Sequence, residues 1–207
     1  MEYKEFKSFF KTVSGNEGSK CHYPTRLDTY GCGCSHNCKY CYAKSLLDFR
    51  KMWNASQPAA VNLMKVHRVI NRNLHEGDIV RLGGMTDCFM PRERLMRRTY
   101  ETIKMLNERR VGYLIVTKSA LVADDDYMAI YDPELAHIQV SITSTDPDVS
   151  RRMENASLPA DRIAAVEKLH RGGMTSPSAY HLISRNSSIL ISSTPLTATR
   201  YSSSSSG

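Results

Sequence analysis

Three cysteines, Cys34, Cys38 and Cys41, fall within eight residues of each other in the run from Gly31 to Tyr42. Thiolates are soft ligands suited to iron–sulfur clusters or zinc, and this spacing lets one loop grip a single metal centre. A fourth thiol at matching spacing is missing. An iron–sulfur cluster held here would keep one iron free for a ligand from outside the protein, an arrangement for chemistry rather than scaffolding. Gly31 and Gly33 permit the tightly wound backbone that leaves room for it. The competing reading is a zinc knuckle with Cys32 or His36 as fourth ligand. Structural zinc sites usually pair two such clusters, and no second one follows downstream.

A second cluster of residues comes after a strand-like run, Asp78 to Leu82. In Gly83-Gly84-Met85-Thr86-Asp87 the glycines let strand-end backbone approach a ligand, and the Asp87 carboxylate can accept from an ammonium group. As a plain turn, the same run makes Asp87 a helix cap. Cys88, next in sequence, is a candidate hydrogen-atom donor, although small buried thiols are commoner than reactive ones.

The elements that must position these groups alternate. Residues 1–25 read as a polar lead-in in which Phe6, Phe9 and Phe10 pack an amphipathic turn, and Leu27 to Tyr30 as a short strand delivering the cysteine loop. Tyr42 to Trp53 reads as a helix with Ala43, Leu46, Leu47, Phe49 and Trp53 on its apolar stripe, and Val61 to Leu74 as another. Strands follow at Asp78–Leu82, Tyr113–Thr117 and Ile138–Ile142, with helices at Pro91–Arg110, Asp124–Tyr131 and Pro159–Arg171. Such alternation implies an α/β fold with parallel strands, whose carboxyl-end loops carry function.

Composition narrows the class. The chain has 207 residues, enough for one domain with a real core, with hydrophobic content of 41% and charged content of 24%. No apolar stretch approaches bilayer length, and the charged N-terminus does not read as a secretory signal. No membrane is expected, and a cytoplasmic location is. Four of the six cysteines crowd into ten residues, which favours a metal site over a disulfide framework. A net charge of +7 allows an anionic partner such as nucleic acid.

The alternation stops after Gly173. Residues 174–207 hold twelve serines and four threonines but no acidic residue, the composition of a disordered tail. Serine TCN codons read one base earlier become NTC codons for Phe, Leu, Ile or Val. The tail therefore reads as apolar strands out of frame, and a frameshift near Gly173 that truncated a longer enzyme is expected. On this reading the domains are a lead-in over 1–25, a core over 26–173 and a low-complexity tail over 174–207.

Cys34, Cys38, Tyr40 and Cys41 match the Cys-x3-Cys-x2-Cys signature, with its aromatic before the last cysteine, of the radical S-adenosylmethionine (radical SAM) superfamily. Tyr23-Pro-Thr-Arg, Thr117-Lys-Ser119, Gln139 to Thr143 and Glu154-Asn-Ala-Ser resemble its spore photoproduct lyase-like branch, over about residues 20–173. The resemblance implies a partial (β/α) barrel of six strand–helix units, of which about four are counted here. It implies a 4Fe-4S cluster on the three cysteines, with S-adenosylmethionine on the fourth iron. Reductive cleavage would give a 5′-deoxyadenosyl radical that abstracts hydrogen from substrate, nucleic acid among the candidates. An electron donor such as flavodoxin or ferredoxin is implied too. Gly83, Gly84, Met85 and Asp87 would receive the methionine moiety, Tyr40 would lie near the adenine, and Ser141 and Thr143 would meet ribose or carboxylate. Lys118 and Arg162 are candidates to pair that carboxylate. The alternatives are a basic, zinc-bearing nucleic-acid-binding module drawing on Arg92, Arg94, Arg97 and Arg98, or an inactive fragment.

Overall fold

The strongest apolar alternation in the chain builds its central sheet. In the computed structural model, which describes residues 3–13, 23–174 and the backbone of 180–182, Ala136, Ile138, Val140 and Ile142 are buried along one strand. His137, Gln139 and Ser141 are only partly covered on its other side. A period of two buries one face of a strand, and here that face lies beneath helices.

In chain order the elements are β1 (Phe10–Thr12), β2 (Thr25–Leu27), β3 (Tyr30–Gly31), α1 (Tyr42–Phe49), β4 (Ala59–Ala60), α2 (Leu63–Asn73) and β5 (Ile79–Leu82). Then come α3 (Glu93–Met96), α4 (Arg98–Glu108), β6 (Gly112–Thr117), a 3-10 turn (Ala120–Ala123) and α5 (Asp125–Met128). The chain continues through β7 (Ala136–Ile142), α6 (Pro147–Met153), α7 (Pro159–Arg171) and β8 (Tyr180–Leu182). The main sheet runs β1-β2-β5-β6-β7-β8. Strands β2, β5, β6, β7 and β8 pair in parallel, and β1 is antiparallel to β2. Strands β3 and β4 form a separate two-stranded piece beside the cysteine loop.

Leu27, Leu82, Tyr113, Ile115 and Ile138 meet Val66 and Ile70 of α2, Ile103 and Leu106 of α4, and Val166 and Leu169 of α7 in one core. Full burial of each aliphatic side chain contributes about 1.5–3 kcal/mol. The helices start where local chemistry satisfies their free N–H groups. Asn62 caps α2 through Met64 and Lys65, Asp146 caps α6, and Pro159 opens α7.

Several sequence expectations are corrected. The expected 27–30 strand is two strands in different sheets, because Asp28 and Thr29 turn the chain between β2 and β3. The lead-in supplies the edge strand β1, with Phe9 buried in the core. The expected 42–53 helix stops at Phe49, and its stripe is not a core face: of the helix only Ala43 is buried, and Phe49 is 89% exposed.

The expected 91–110 helix is broken at Arg97, which adopts a left-handed backbone (φ 54°). Glu93, fully buried, reaches across the break and accepts from the N–H groups of Thr99 (3.0 Å) and Tyr100 (2.9 Å). A carboxylate at the new helix N-terminus stabilises the second start. The expected 124–131 helix shortens to α5, preceded by the 3-10 turn, and α6 was not foreseen. A fifth parallel strand, β8, arises within the serine-rich segment as written, so the count of four strands becomes five. The rest of the expected disordered tail lies outside the described residues, as does Cys21.

Candidate metal centre and cofactor site

The cysteine loop is wound by short-range hydrogen bonds. The Cys34 carbonyl accepts from Asn37 N (3.1 Å), and the Cys38 carbonyl from Cys41 N (3.2 Å). Cys41 is the N-cap of α1, its Sγ accepting from Lys44 N at 3.4 Å. Gly33 has a specific steric reason: a Cβ there would come within 1.9 Å of the Asn54 carbonyl oxygen. Any side chain at 33 would push the loop off the 54–55 backbone.

Cys34, Cys38 and Cys41 line one wall of a cavity of about 150 Å³, and Gly83, Gly84 and Met85 line the other. The two runs that sequence singled out, more than forty residues apart, therefore face the same space. Burial, then the nearby Asp87 carboxylate, pushes the Cys34 thiol up to about 12. Burial also raises Cys38, against the opposing pull of the Lys118 ammonium. Thiols in this setting hold their protons until a metal displaces them. Three convergent soft donors, two of them buried, fit an iron–sulfur cluster with one open corner.

The zinc-knuckle reading loses its fourth ligand. His36 is buried at the edge of the same cavity, but it faces the protein: Nδ1 lies 3.2 Å from the Asn155 carbonyl and Nε2 3.2 Å from the Asp87 carboxylate. Cys32, in left-handed conformation, lines a different cavity. Among the described residues no three His, Cys, Asp or Glu side chains crowd around a single-ion position.

Two buried carboxylates brace the glycine wall. Asp28, just beyond β2, accepts from Gly84 N and Met85 N (3.4 Å) and pairs with Arg26 at 2.7 Å. A Cβ on Gly84 would overlap the Arg26 side chain at 2.0 Å, so this glycine makes room for an arginine stem. Its carbonyl accepts from the Tyr42 hydroxyl (2.9 Å). Asp87 accepts from Thr117 Oγ1 (2.7 Å), Lys118 N (2.8 Å) and Phe89 N (2.9 Å) besides His36. Burial alone would raise this carboxyl; His36 and the hydrogen bonds outweigh it and hold it at about 2. Asp87 thus ties the cysteine loop to the end of β6, and both its oxygens are engaged within the protein.

A third carboxylate braces the thiol wall. Glu154 accepts from Arg162, from the Tyr40 hydroxyl and from Thr143 Oγ1 (2.7 Å), and Cys38 Sγ lies 3.9 Å away. Burial works to raise its carboxyl, but the bonds from Tyr40, Thr143 and Arg162 keep it low. Beside it, Lys39 N donates to the Met153 carbonyl (2.9 Å) and Asn155 N to the His36 carbonyl (2.7 Å). The 153–155 segment is strapped along the cysteine loop.

The radical SAM superfamily model matches residues 29–184. The chain belongs to the radical SAM superfamily. Three solved spore photoproduct lyase structures share its fold. One, with bound AdoMet and dinucleoside spore photoproduct, has a TM-score of 0.61 at 20% identity, covering 87% of this chain and 48% of that one. A complex with dinucleoside spore photoproduct gives 0.62 at 18%, covering 84% and 50%. A cysteine-to-alanine variant gives 0.63 at 18%, covering 85% and 51%. The chain spans about half the length of these structures. No curated protein matches it significantly.

Within this radical SAM chain the expected site residues divide. Cys34, Cys38, Cys41, Gly83, Gly84, Met85, Asp87 and Lys118 line the common cavity. Tyr40 and Thr143 both donate to Glu154, and the Tyr40 ring lies 5.8 Å from the Lys118 ammonium. Ser141 contributes a carbonyl that accepts from Arg162 (2.9 Å). Arg162 itself is corrected: it is fully buried against Glu154 and carbonyl oxygens, and is not available to a ligand carboxylate. Cys88 is also corrected. It is fully buried in the helix-side core beneath Gly83, away from the cavity lining, and burial pushes its thiol well up.

Sequence reasoning missed Glu154, Asn155 and Arg81 as site residues. Arg81 lines the cavity with its Nε buried and, among the described residues, without a hydrogen-bond partner. The alternation along β5 could have flagged it, as a cation on the face away from the helices.

Proposed function

We propose that this radical SAM protein holds a 4Fe-4S cluster on Cys34, Cys38 and Cys41, with S-adenosylmethionine between that loop and Gly83–Asp87. The observation that carries the reading is the convergence of three thiols and the glycine turn on one cavity. When bound, this pair of groups supplies a reductively generated 5′-deoxyadenosyl radical for hydrogen abstraction.

The chain's own residues supply the frame. Asp28 fixes the Gly84 and Met85 amides, and Tyr42 holds the Gly84 carbonyl, so the turn meets a ligand already ordered. Arg81 and Lys118 bring positive charge to the lining. A guanidinium with an unpartnered Nε suits the cofactor carboxylate, the role expected of Arg162. Tyr40 and Thr143, through Glu154, stiffen the loop that carries Cys38. A lesion in nucleic acid is the substrate this reading favours. Its support is the net charge of +7 and the dinucleoside spore photoproduct named for the solved relatives. A cytoplasmic setting and an electron donor such as flavodoxin or ferredoxin complete it. Among the described residues no helix is long and apolar enough to cross a membrane.

Anaerobic reconstitution with iron and sulfide tests the reading. A brown protein with about four iron per chain is expected, forming 5′-deoxyadenosine from S-adenosylmethionine under dithionite. Colourless protein retaining one zinc would overturn it. Replacing Cys34, Cys38 and Cys41 by alanine together should abolish iron retention.

A further inference from the structure

On the far side of the cysteine loop lies a second cavity, of about 560 Å³, several times larger than the one the thiols line. Cys32 and Asn54 form part of its wall, and the contact of Gly33 with the Asn54 carbonyl closes the loop against it. Nothing in the proposed chemistry uses this space.

Its lining has an unusual balance. Lys4, Lys51 and Arg92 all face it, and among the described residues no carboxylate does. Among the described residues none of the three cations forms an ion pair with an acid. Arg92 is held in place by one hydrogen bond, from Nη1 to the Pro58 carbonyl at 2.9 Å. Three convergent cations without a counter-charge repel one another, and an anion relieves that repulsion.

The aromatic side of the cavity is Tyr3 and Trp53. Both pack on the small cluster of Tyr30, Cys34, Ala60 and Met90, so their rings are fixed from beneath. Arg98 fixes Tyr3 further, donating to its hydroxyl at 3.0 Å with the guanidinium 5.0 Å from the ring. The Trp53 Nε1–H is buried and, among the described residues, has no acceptor. A buried indole donor normally finds a partner.

From this combination we infer that the cavity is a nucleotide seat, separate from the thiol cavity. The base lies against Trp53 and Tyr3, and the phosphate is held by Lys4, Lys51 and Arg92. Base stacking on aromatic side chains and cationic phosphate contacts are the two recurring parts of such sites. The ligand chemistry is a phosphorylated nucleoside, free or as one unit of a single strand.

The chain's one tryptophan lines this cavity, so its fluorescence, excited selectively over the tyrosines, is the reporter. The full-length chain is titrated with adenosine monophosphate, with a short single-stranded oligodeoxynucleotide and with inorganic phosphate. Saturable quenching by either nucleotide probe is expected, with phosphate at equal concentration a weak competitor. The Lys4→Ala/Lys51→Ala double variant, both side chains exposed, should weaken binding about tenfold, with an unchanged circular dichroism spectrum. Comparable affinity for the two nucleotide probes assigns a free nucleotide. Much tighter, salt-sensitive binding of the oligonucleotide assigns a strand. No saturable quenching, equal affinity in the double variant, or phosphate competing as well as nucleotide would each overturn the seat. Iron content and cofactor cleavage are read separately, so failure of the cluster assignment leaves this test standing.

Discussion

Glu93 and Glu154 are both buried carboxylates with tyrosine partners, yet they do different work. Glu93 accepts from the hydroxyls of Tyr30 and Tyr127 (2.5 Å to the latter) and from two amides at the start of α4. Its contacts join a helix break to the core. Glu154 is paired with the buried Arg162 and reaches Tyr40, Thr143 and Cys38. Its contacts join the sheet and α7 to the loop that carries the thiols. One carboxylate serves the fold alone, while the other makes the fold responsible for the geometry of the metal centre.

Breaking the second network should have the larger effect. Glu154→Ala leaves the Arg162 guanidinium buried without its counter-ion, a loss of about 3–5 kcal/mol. Denaturant unfolding of the iron-free chain measures it. Iron retention should fall as well, because Tyr40 and the Cys38 loop lose their tether. Replacing the pair together, Glu154→Leu with Arg162→Met, should recover much of the stability but not the iron. Full recovery of both would show that Glu154 has no part in positioning the thiols.

Glu93→Gln sharpens the contrast from the other side. The amide keeps the size, but one acceptor oxygen becomes a donor facing groups that are themselves donors. A loss of about 1–3 kcal/mol is expected, with iron per folded chain unchanged. A drop in iron comparable to that of Glu154→Ala would erase the distinction between the two carboxylates.

The same division governs what the sequence disclosed. Strands β5, β6 and β7 and helix α7 were legible because each buries a regular apolar face, with Ile163 the one exposed member of the α7 pattern. The helix break at Arg97 was not, since its cause is a buried carboxylate whose partners, Tyr30 and Tyr127, are remote in sequence. The thiols and glycines were legible from local spacing. The ion pair of Glu154 and Arg162 was not, because a charge meeting its counter-charge in the interior looks, in sequence, like two surface residues. Arg162 was therefore given a ligand to hold, when its partner was the protein itself.

Tyr40→Phe is the finest cut through this network. It removes one donor to Glu154 while Thr143 and Arg162 remain, so stability should fall by only about 0.5–1.5 kcal/mol. Apart from the 3.9 Å approach of Cys38 Sγ, the phenol is the link to Glu154 that belongs to the cysteine loop, and it sits between Cys38 and Cys41 in sequence. A small stability change with a clear rise in the rate of iron loss to chelator would locate the coupling in this hydroxyl. If iron loss instead tracks stability alone, the strap between Met153–Asn155 and the loop backbone carries the coupling, and the Tyr40 hydroxyl merely satisfies a buried acid.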